Sequence, residues 1–427
     1  MSRADGAIAE LLSDVQRARA GLLGWPTDRF RDRFASLQPD LARTGLSRLV
    51  EEMIADQDTP DISSAYIDLD TDEPGRRASY GGWQALGELR LPALWAWFER
   101  VRAAATPLEP WWFRDLTVEL PADTIGRLRG ATAPLAPLGP IVERWAARAG
   151  LERPTEYNWR WLSLGRGLGI SVPAFADLLP ALVRRFRELD LLPLGHRVQV
   201  IRQPKRSSMV VPVRVPGHSI LFVPVSSEVT PLSVQYLQHE LAHLAEHALR
   251  PPDATLRERW TFDPVRSEGW ALFFESLLQD PGWLARLGVD SREVEPLAEF
   301  LREENELTKG LMAADLALDG RLASASDVEE ARRAAREIAA ELAIEWSPEI
   351  MLFRIPRTLY WRTCVAGWAW KDAAVAVLAS RFGPAWADRP DAWQAVRAAL
   401  AAVGSASDAL ECLAGHPVDP ASRRSHA

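Results

Sequence analysis

Residues 238–247 read Gln-His-Glu-Leu-Ala-His-Leu-Ala-Glu-His, so His239, Glu240 and His243 fall in the spacing His-Glu-x-x-His. On a helix, positions i and i+4 share a face, with Cβ atoms about 6 Å apart. Two imidazoles so placed reach one tetrahedral Zn²⁺ at about 2.0–2.1 Å each. Glu240 follows the first histidine directly, where it can act as general base on a metal-activated water. Such a site needs a third protein ligand and an open fourth position. The neighbours Tyr236, Leu237, Leu241, Ala242 and Leu244 are largely apolar, so the helix is expected to be substantially buried, Tyr236 included. Unpaired His and Glu there would be costly. His247 continues the series by four and reads as a packing residue or a support to the ligands, not as a ligand itself. A second helical stretch begins 24 residues after His243 with Ser267-Glu268-Gly269-Trp270-Ala271.

These two stretches together resemble the gluzincin group of zinc metallopeptidases, in which a Glu on the following helix completes the site. Aminopeptidases of that group carry an Asn-Glu-Gly-Phe-Ala-like stretch there. A bacterial family of large helical peptidase-like proteins carries Glu-Gly-Trp-Ala-Leu-Tyr-Ala-Glu, which residues 268–275 match at six of eight positions. The resemblance covers about residues 196–375, and the plain His-Glu-Leu-Ala-His lacks the Pro-Gly of that family's histidine motif. It implies Glu268 as third zinc ligand. Glu275, two turns further along the same face, is either an alternative ligand or an acceptor for the far N–H of a ligand histidine. Tyr360, in Arg-Ile-Pro-Arg-Thr-Leu-Tyr-Trp-Arg (354–362), is the candidate donor to the carbonyl oxygen that gains charge during hydrolysis. Arg357 or Arg362 could grip a substrate carboxylate, and His218 is a weaker candidate for substrate contact.

Apolar residues at three- and four-residue spacing predict helices over 5–22, 40–56, 82–105, 138–149 and 173–190. From about 196 the pattern alternates. His-Arg-Val-Gln-Val-Ile-Arg-Gln, Ser-Ser-Met-Val-Val-Pro-Val-Arg-Val and His-Ser-Ile-Leu-Phe-Val-Pro-Val predict strands, the last two joined by Pro216-Gly217 as a hairpin. Pro212 and Pro224 cannot donate to a ladder, which predicts open edges. Ser233 to Leu249 then forms the motif helix, a loop spans 250–263, and a helix starts near Pro264. The expected fold is mainly α: a helical N-terminal half (1–195), a zinc-binding half (196–415) with a small antiparallel sheet beside the motif helix, a cleft between the halves, and a disordered tail (416–427). Gly165-Arg-Gly-Leu-Gly169 is glycine-rich, but no strand precedes it and no Gly-Lys-Ser/Thr follows, so a phosphate loop is disfavoured.

The chain has 427 residues, 47 % apolar and 25 % charged, with formal net charge −8. No basic surface is advertised, which argues against nucleic acid. Its two cysteines, Cys364 and Cys412, lie outside any Cys-x-x-Cys pair, so neither a disulfide framework nor a thiolate metal site is expected. The N-terminal stretch lacks a signal-peptide apolar core and no run could span a bilayer, so cytoplasmic residence is the expectation. The 18 tryptophans are scattered, as in a large packed helical body. The expected function is zinc-dependent hydrolysis of a peptide or other amide bond. The alternatives are a zinc enzyme acting on a specialised metabolite or modified peptide, and a helical scaffold with a non-catalytic zinc.

Overall fold

The computed structural model describes residues 3–19, 27–44, 72–103, 135–203, 208–224, 229–260, 262–322, 324–352 and 358–416. Helices dominate them. In the first half they are α1 (Arg3–Arg19), α2 (Thr27–Thr44), α3 (Glu73–Ala103), α4 (Gly139–Arg148), α5 (Glu156–Ser163) and α6 (Phe175–Glu188). Three strands follow: β1 (Arg197–Gln203), β2 (Met209–Arg214) and β3 (His218–Pro224). After them come α7 (Pro231–Leu249), α8 (Leu256–Trp260), α9 (Pro264–Leu277), α10 (Pro281–Arg286), α11 (Val294–Leu322), α12 (Val328–Leu342), α13 (Pro348–Leu352), α14 (Thr358–Phe382), a short 3₁₀ turn (Trp386–Asp388), α15 (Pro390–Ala401) and α16 (Ala406–Ala414). The helix expected at 40–56 is instead the end of α2, with 45–56 outside the described residues, as is most of the 416–427 tail. The stretch 250–263, expected as a loop, contains α8.

The sheet is mixed, not antiparallel. Its order is β1-β3-β2, with β2 antiparallel to β3 and β1 parallel to it. The cause is legible in the strands. Ile220, Leu221, Phe222 and Val223 are all at most 2 % exposed, so β3 is apolar on both faces and takes the centre. In β1 Arg197, Gln199, Val200 and Arg202 are exposed and Val198 and Ile201 only half-buried, which suits an edge. Pro212 lacks an N–H and keeps β2 on the other edge.

One hydrophobic cluster runs from Tyr80 to Leu413 and takes residues from both sides of position 195. Leu138 N donates to Leu342 O at 2.8 Å, and Trp159 Nε1 donates to Glu345 O at 2.9 Å, tying α4 and α5 to the α12 end. Many of the tryptophans sit beneath the two motif helices. Trp270 packs on Trp370 and Phe274, Phe274 stacks on Trp393, and Trp393 on Trp283. The glycine-rich loop is a packing device. Gly165 and Gly167 have φ of +77° and +71°, and a Cβ would meet the Pro231 ring at 2.4 Å and Trp161 at 2.2 Å. The loop thus lies against the first residue of α7. Among the described residues no helix is long and apolar enough to cross a membrane.

Candidate metal centre

α7 starts where Thr230 and Ser233 cap each other reciprocally and Pro231 occupies the first turn. It stops at Arg250, whose extended backbone is what a residue before Pro251 favours. Asp263 caps α9 by accepting from Arg266 N, again with proline next. α7 and α9 pack on one another, and α14 crosses α9 through glycines. A Cβ on Gly367 would stand 3.0 Å from Gly269 N and 3.2 Å from the Cβ of Glu268, and one on Gly269 would strike Trp370 at 2.5 Å. Only hydrogen at both positions lets these backbones approach so closely. Glu268 sits at this crossing.

Deep between the helices, Arg266 and Glu246 are both fully buried and 3.5 Å apart. Arg250 reaches the same carboxylate at 3.3 Å. Arg266 also donates to Leu400 O at 2.8 Å and Gly404 O at 3.1 Å. Glu246 lies three residues after His243, and Arg266 two before Glu268. The ion pair therefore fixes one helix against the other beside the site.

His239, His243 and Glu268 each offer a ligand atom, and these atoms lie within 4.8 Å of one another. The two Nε2 atoms are 3.1 Å apart, and His239 Nε2 is 3.7 Å from Glu268 Oε2. A tetrahedral ion at 2.0–2.1 Å separates its ligand atoms by about 3.3 Å. The two separations that involve His239 match that spacing to within about half an ångström, and His243 and Glu268 lie within 4.8 Å of each other, so the donor set fits zinc. Both Nδ1 atoms are engaged on the far side: His239 with Glu275 Oε1 at 2.5 Å, His243 with Ser267 Oγ at 3.0 Å. These contacts leave Nε2 as the inward atom on both rings. Glu275 thus meets the distal nitrogen of His239, while Glu268 faces the proximal one.

Burial lowers the proton affinity of the His239 ring, but the charge of Glu275 and its hydrogen bond outweigh that and raise its pKa to about 10. His243 is lowered well below the usual imidazole range by burial and by the neighbouring His239. One proton between two converging nitrogens is the arrangement a divalent cation replaces. Glu240 is pushed up to about 7 by burial, against the opposing pull of His239 and of the Val210 N–H. That N–H, on edge strand β2, donates to Glu240 Oε2 at 2.6 Å.

The remaining candidates fall elsewhere. Tyr236 was expected in the core but is 43 % exposed. It lies on the open strip of α7 with Ser233, His239, Glu240 and His243, because the face that carries the candidate ligands is not the packed one. His247 is buried, with its ring edge-on to Phe262 at 4.8 Å. His218 starts β3, three residues from Leu221, the partner of Val210. That is about 10 Å along the strand from the Glu240 contact. Tyr360 and Arg362 belong to the start of α14, four and two residues before Cys364, and their side chains lie outside the described part. Arg357 lies outside the described residues. Neither cysteine is in a disulfide, and the Cys364 thiol lies 3.9 Å from Glu268 Oε2.

Several site-supporting residues escape sequence reasoning. Gln235 Nε2 donates to Glu275 Oε2 at 2.8 Å. Gln238 bonds Phe274 O, and its own carbonyl accepts from Trp283 Nε1 at 3.1 Å. Both glutamines sit among apolar residues one turn or less before His239, and a polar side chain at a buried helical position is the signal that could have flagged them. Ser267, immediately before Glu268, carried no such signal.

No family model matches the chain, and no curated protein matches it by sequence. Solved structures do. An M32 carboxypeptidase from Deinococcus radiodurans R1 is similar over 97 % of this chain and 95 % of its own, with TM-score 0.57 and 14 % identity. Metallocarboxypeptidase 1 of Trypanosoma cruzi aligns over 99 % and 98 %, with TM-score 0.48 and 14 % identity. A Pyrococcus furiosus carboxypeptidase aligns over 98 % and 97 %, with TM-score 0.46 and 10 % identity. The first of these likenesses shows a shared helical fold over nearly the whole chain.

Proposed function

We propose that the protein is a zinc-dependent hydrolase of peptide bonds. The observation that carries this reading is the convergence of His239 Nε2, His243 Nε2 and Glu268 Oε2 within 4.8 Å, with Glu240 beside them and outside the donor set. Zinc held by these three residues supplies Lewis acidity, which favours ionisation of a water and draws charge from a substrate carbonyl. Glu240 takes the proton of the attacking water and delivers it to the leaving amine. Burial raises the proton affinity of this carboxylate, which favours its accepting the proton. Glu275 holds the His239 ring so that Nε2 points inward, and Ser267 does the same for His243. The amides of edge strand β2 begin at the Glu240 carboxylate, so a substrate lying along that edge brings its backbone to the base. Tyr360 is the proposed donor to the carbonyl oxygen, and Arg357 or Arg362 the proposed grip on a substrate carboxylate.

The shared fold favours release of C-terminal residues as the activity to assay, because the Deinococcus radiodurans neighbour is a carboxypeptidase by name. The test is zinc analysis of the purified protein together with mass-spectrometric readout of a mixed peptide library. About one Zn²⁺ per chain and chelator-sensitive shortening from the C-terminus are expected. Zinc-free protein that still cleaves, or zinc-loaded protein that cleaves nothing in the library, overturns the reading.

A further inference from the structure

The helix that carries the two histidines has one opening. Every residue of α7 is buried except Ser233, Tyr236, His239, Glu240 and His243. Three of the five are the histidine ligands and the base of the hydrolytic scheme. Ser233 is engaged in the helix cap, its hydroxyl 3.0 Å from that of Thr230. Tyr236 belongs to neither group, yet it is the most open of the five, at 43 % exposure.

Helix geometry fixes where Tyr236 stands. At about 100° per residue, it falls within about 20° of His243, with His239 about 60° to one side and Glu240 about 40° to the other. It is thus in the middle of the strip that carries the ligands, one turn before Glu240, with about 6 Å between the two Cβ atoms. Helical side chains lean toward the N-terminus of their own helix, so Glu240 is inclined over the turn that Tyr236 occupies. The Glu240 carboxylate is also tied to the edge of β2, 2.6 Å from Val210 N. A peptide lying along that edge at Glu240 therefore has Tyr236 beside it.

We propose that Tyr236 is a specificity-determining residue, whose ring walls the subsite for the residue on the amine side of the cut and selects apolar and aromatic side chains there. The proposal rests on the zinc-hydrolase reading above. In that reading Glu240 hands its proton to the leaving amine, so the leaving residue begins at its carboxylate. Of the strip residues next to Glu240, His239 and His243 are turned to the metal, which leaves Tyr236 to meet a side chain. A ring with this much open surface gains by covering apolar area, and a second aromatic ring adds an edge-on or offset contact. A leaving glycine gives the ring nothing to cover.

Peptides that differ only in Phe or Gly as the leaving residue test this, with the parent, Tyr236→Phe and Tyr236→Ala. The parent should prefer Phe, and in Tyr236→Ala the Phe-to-Gly ratio of kcat/KM should fall about tenfold or more. Tyr236→Phe keeps the ring and should keep the ratio within about threefold. Zinc affinity by chelator competition should be alike in all three. A second readout needs no turnover: in the Glu240→Gln background, calorimetric Kd values for the two peptides should differ, and Tyr236→Ala should remove the difference. A parent indifferent to Phe against Gly overturns the proposal. So does an equal loss for both peptides, or a changed preference for the residue on the acyl side instead. A Tyr236→Phe protein that behaves like Tyr236→Ala would give the role to the hydroxyl and not the ring. If the parent takes up no Zn²⁺ or cleaves neither peptide, the hydrolase reading fails. The Kd comparison between parent and Tyr236→Ala then still decides whether the ring selects, and equal Kd values for the two peptides overturn it.

Discussion

Gly367 offers a way to disturb the metal centre without touching a ligand. A methyl there would stand 3.0 Å from Gly269 N and 3.2 Å from both the carbonyl carbon and Cβ of Glu268. Ordinary carbon contacts are about 3.5–4.0 Å, so α9 must retreat by roughly 0.3–0.5 Å at Glu268. Metal sites hold ligand distances to about ±0.2 Å, and the displaced carboxylate should no longer close on the two histidines. The overpacking costs about 1–3 kcal/mol. Replacing a helical glycine by alanine returns about 1 kcal/mol, so folding stability should drop by no more than about 2 kcal/mol. Zinc affinity should drop by about tenfold or more, a coupling of at least about 1.4 kcal/mol. Competition with a fluorescent chelator measures the affinity, and urea unfolding of the metal-free protein measures the stability. Gly320→Ala is the control, since a Cβ there meets nothing within 4 Å. A folded Gly367→Ala protein with parental zinc affinity would refute the idea that this crossing positions Glu268 as a ligand.

Glu240→Gln should keep its zinc by metal analysis and lose about 10²–10⁴-fold in kcat, since it removes a base and not a ligand. Glu275→Gln should weaken zinc about 10–100-fold, and Glu268→Gln more; the reverse order in chelator titrations would exchange their roles. Arg266→Met leaves Glu246 buried without its partner across the helix pair, and urea unfolding should show a loss of about 3–5 kcal/mol. The pKa values of His196 and His247 are lowered to about 4 and about 3, chiefly by burial. Their unfolded forms bind protons first, so their contribution to stability is complete above about pH 6.5 and is lost as pH falls toward 4. His196→Asn retains an acceptor for Gly217 N and should flatten that slope in unfolding measured across the range; an unchanged slope would assign the acid sensitivity elsewhere.

The helices were legible because their signals are local. Thr230-Pro231 and Asp263-Pro264 announce the starts of the two motif helices within a residue or two, by capping chemistry that needs no tertiary context. The strands were legible for the same reason, and so was the β2–β3 hairpin, but the place of β1 was not. Nothing in β1 taken alone says that it skips β2 and joins the far edge of β3. That follows from comparing three strands for which is apolar on both faces, and Ile220 to Val223 give the answer only when read as a competition for the centre. Tyr236 failed similarly. Its apolar neighbours suggested burial, yet the helical period that sets His239, Glu240 and His243 on one face sets Tyr236 there as well. The reading gave weight to composition where periodicity should have ruled.

The histidine pair could be read because four residues of helix bring both rings to one point. The choice between Glu268 and Glu275 could not be read from spacing, because both lie on one face of α9; only the family resemblance preferred Glu268. What separates them is longer-range. Gly269 and Gly367 bring α14 against the start of α9, and Arg266 anchors that same end to Glu246. This sets α9 so that Glu268 meets the inner nitrogen of His239 at 3.7 Å and Glu275 the outer one at 2.5 Å. A pair of glycines at a helix crossing and an arginine that touches no candidate ligand thus decide which carboxylate faces the two histidines. Neither residue type advertises that role in a sequence. A helix-crossing glycine is recognisable only once its partner 98 positions away is known to be a glycine too.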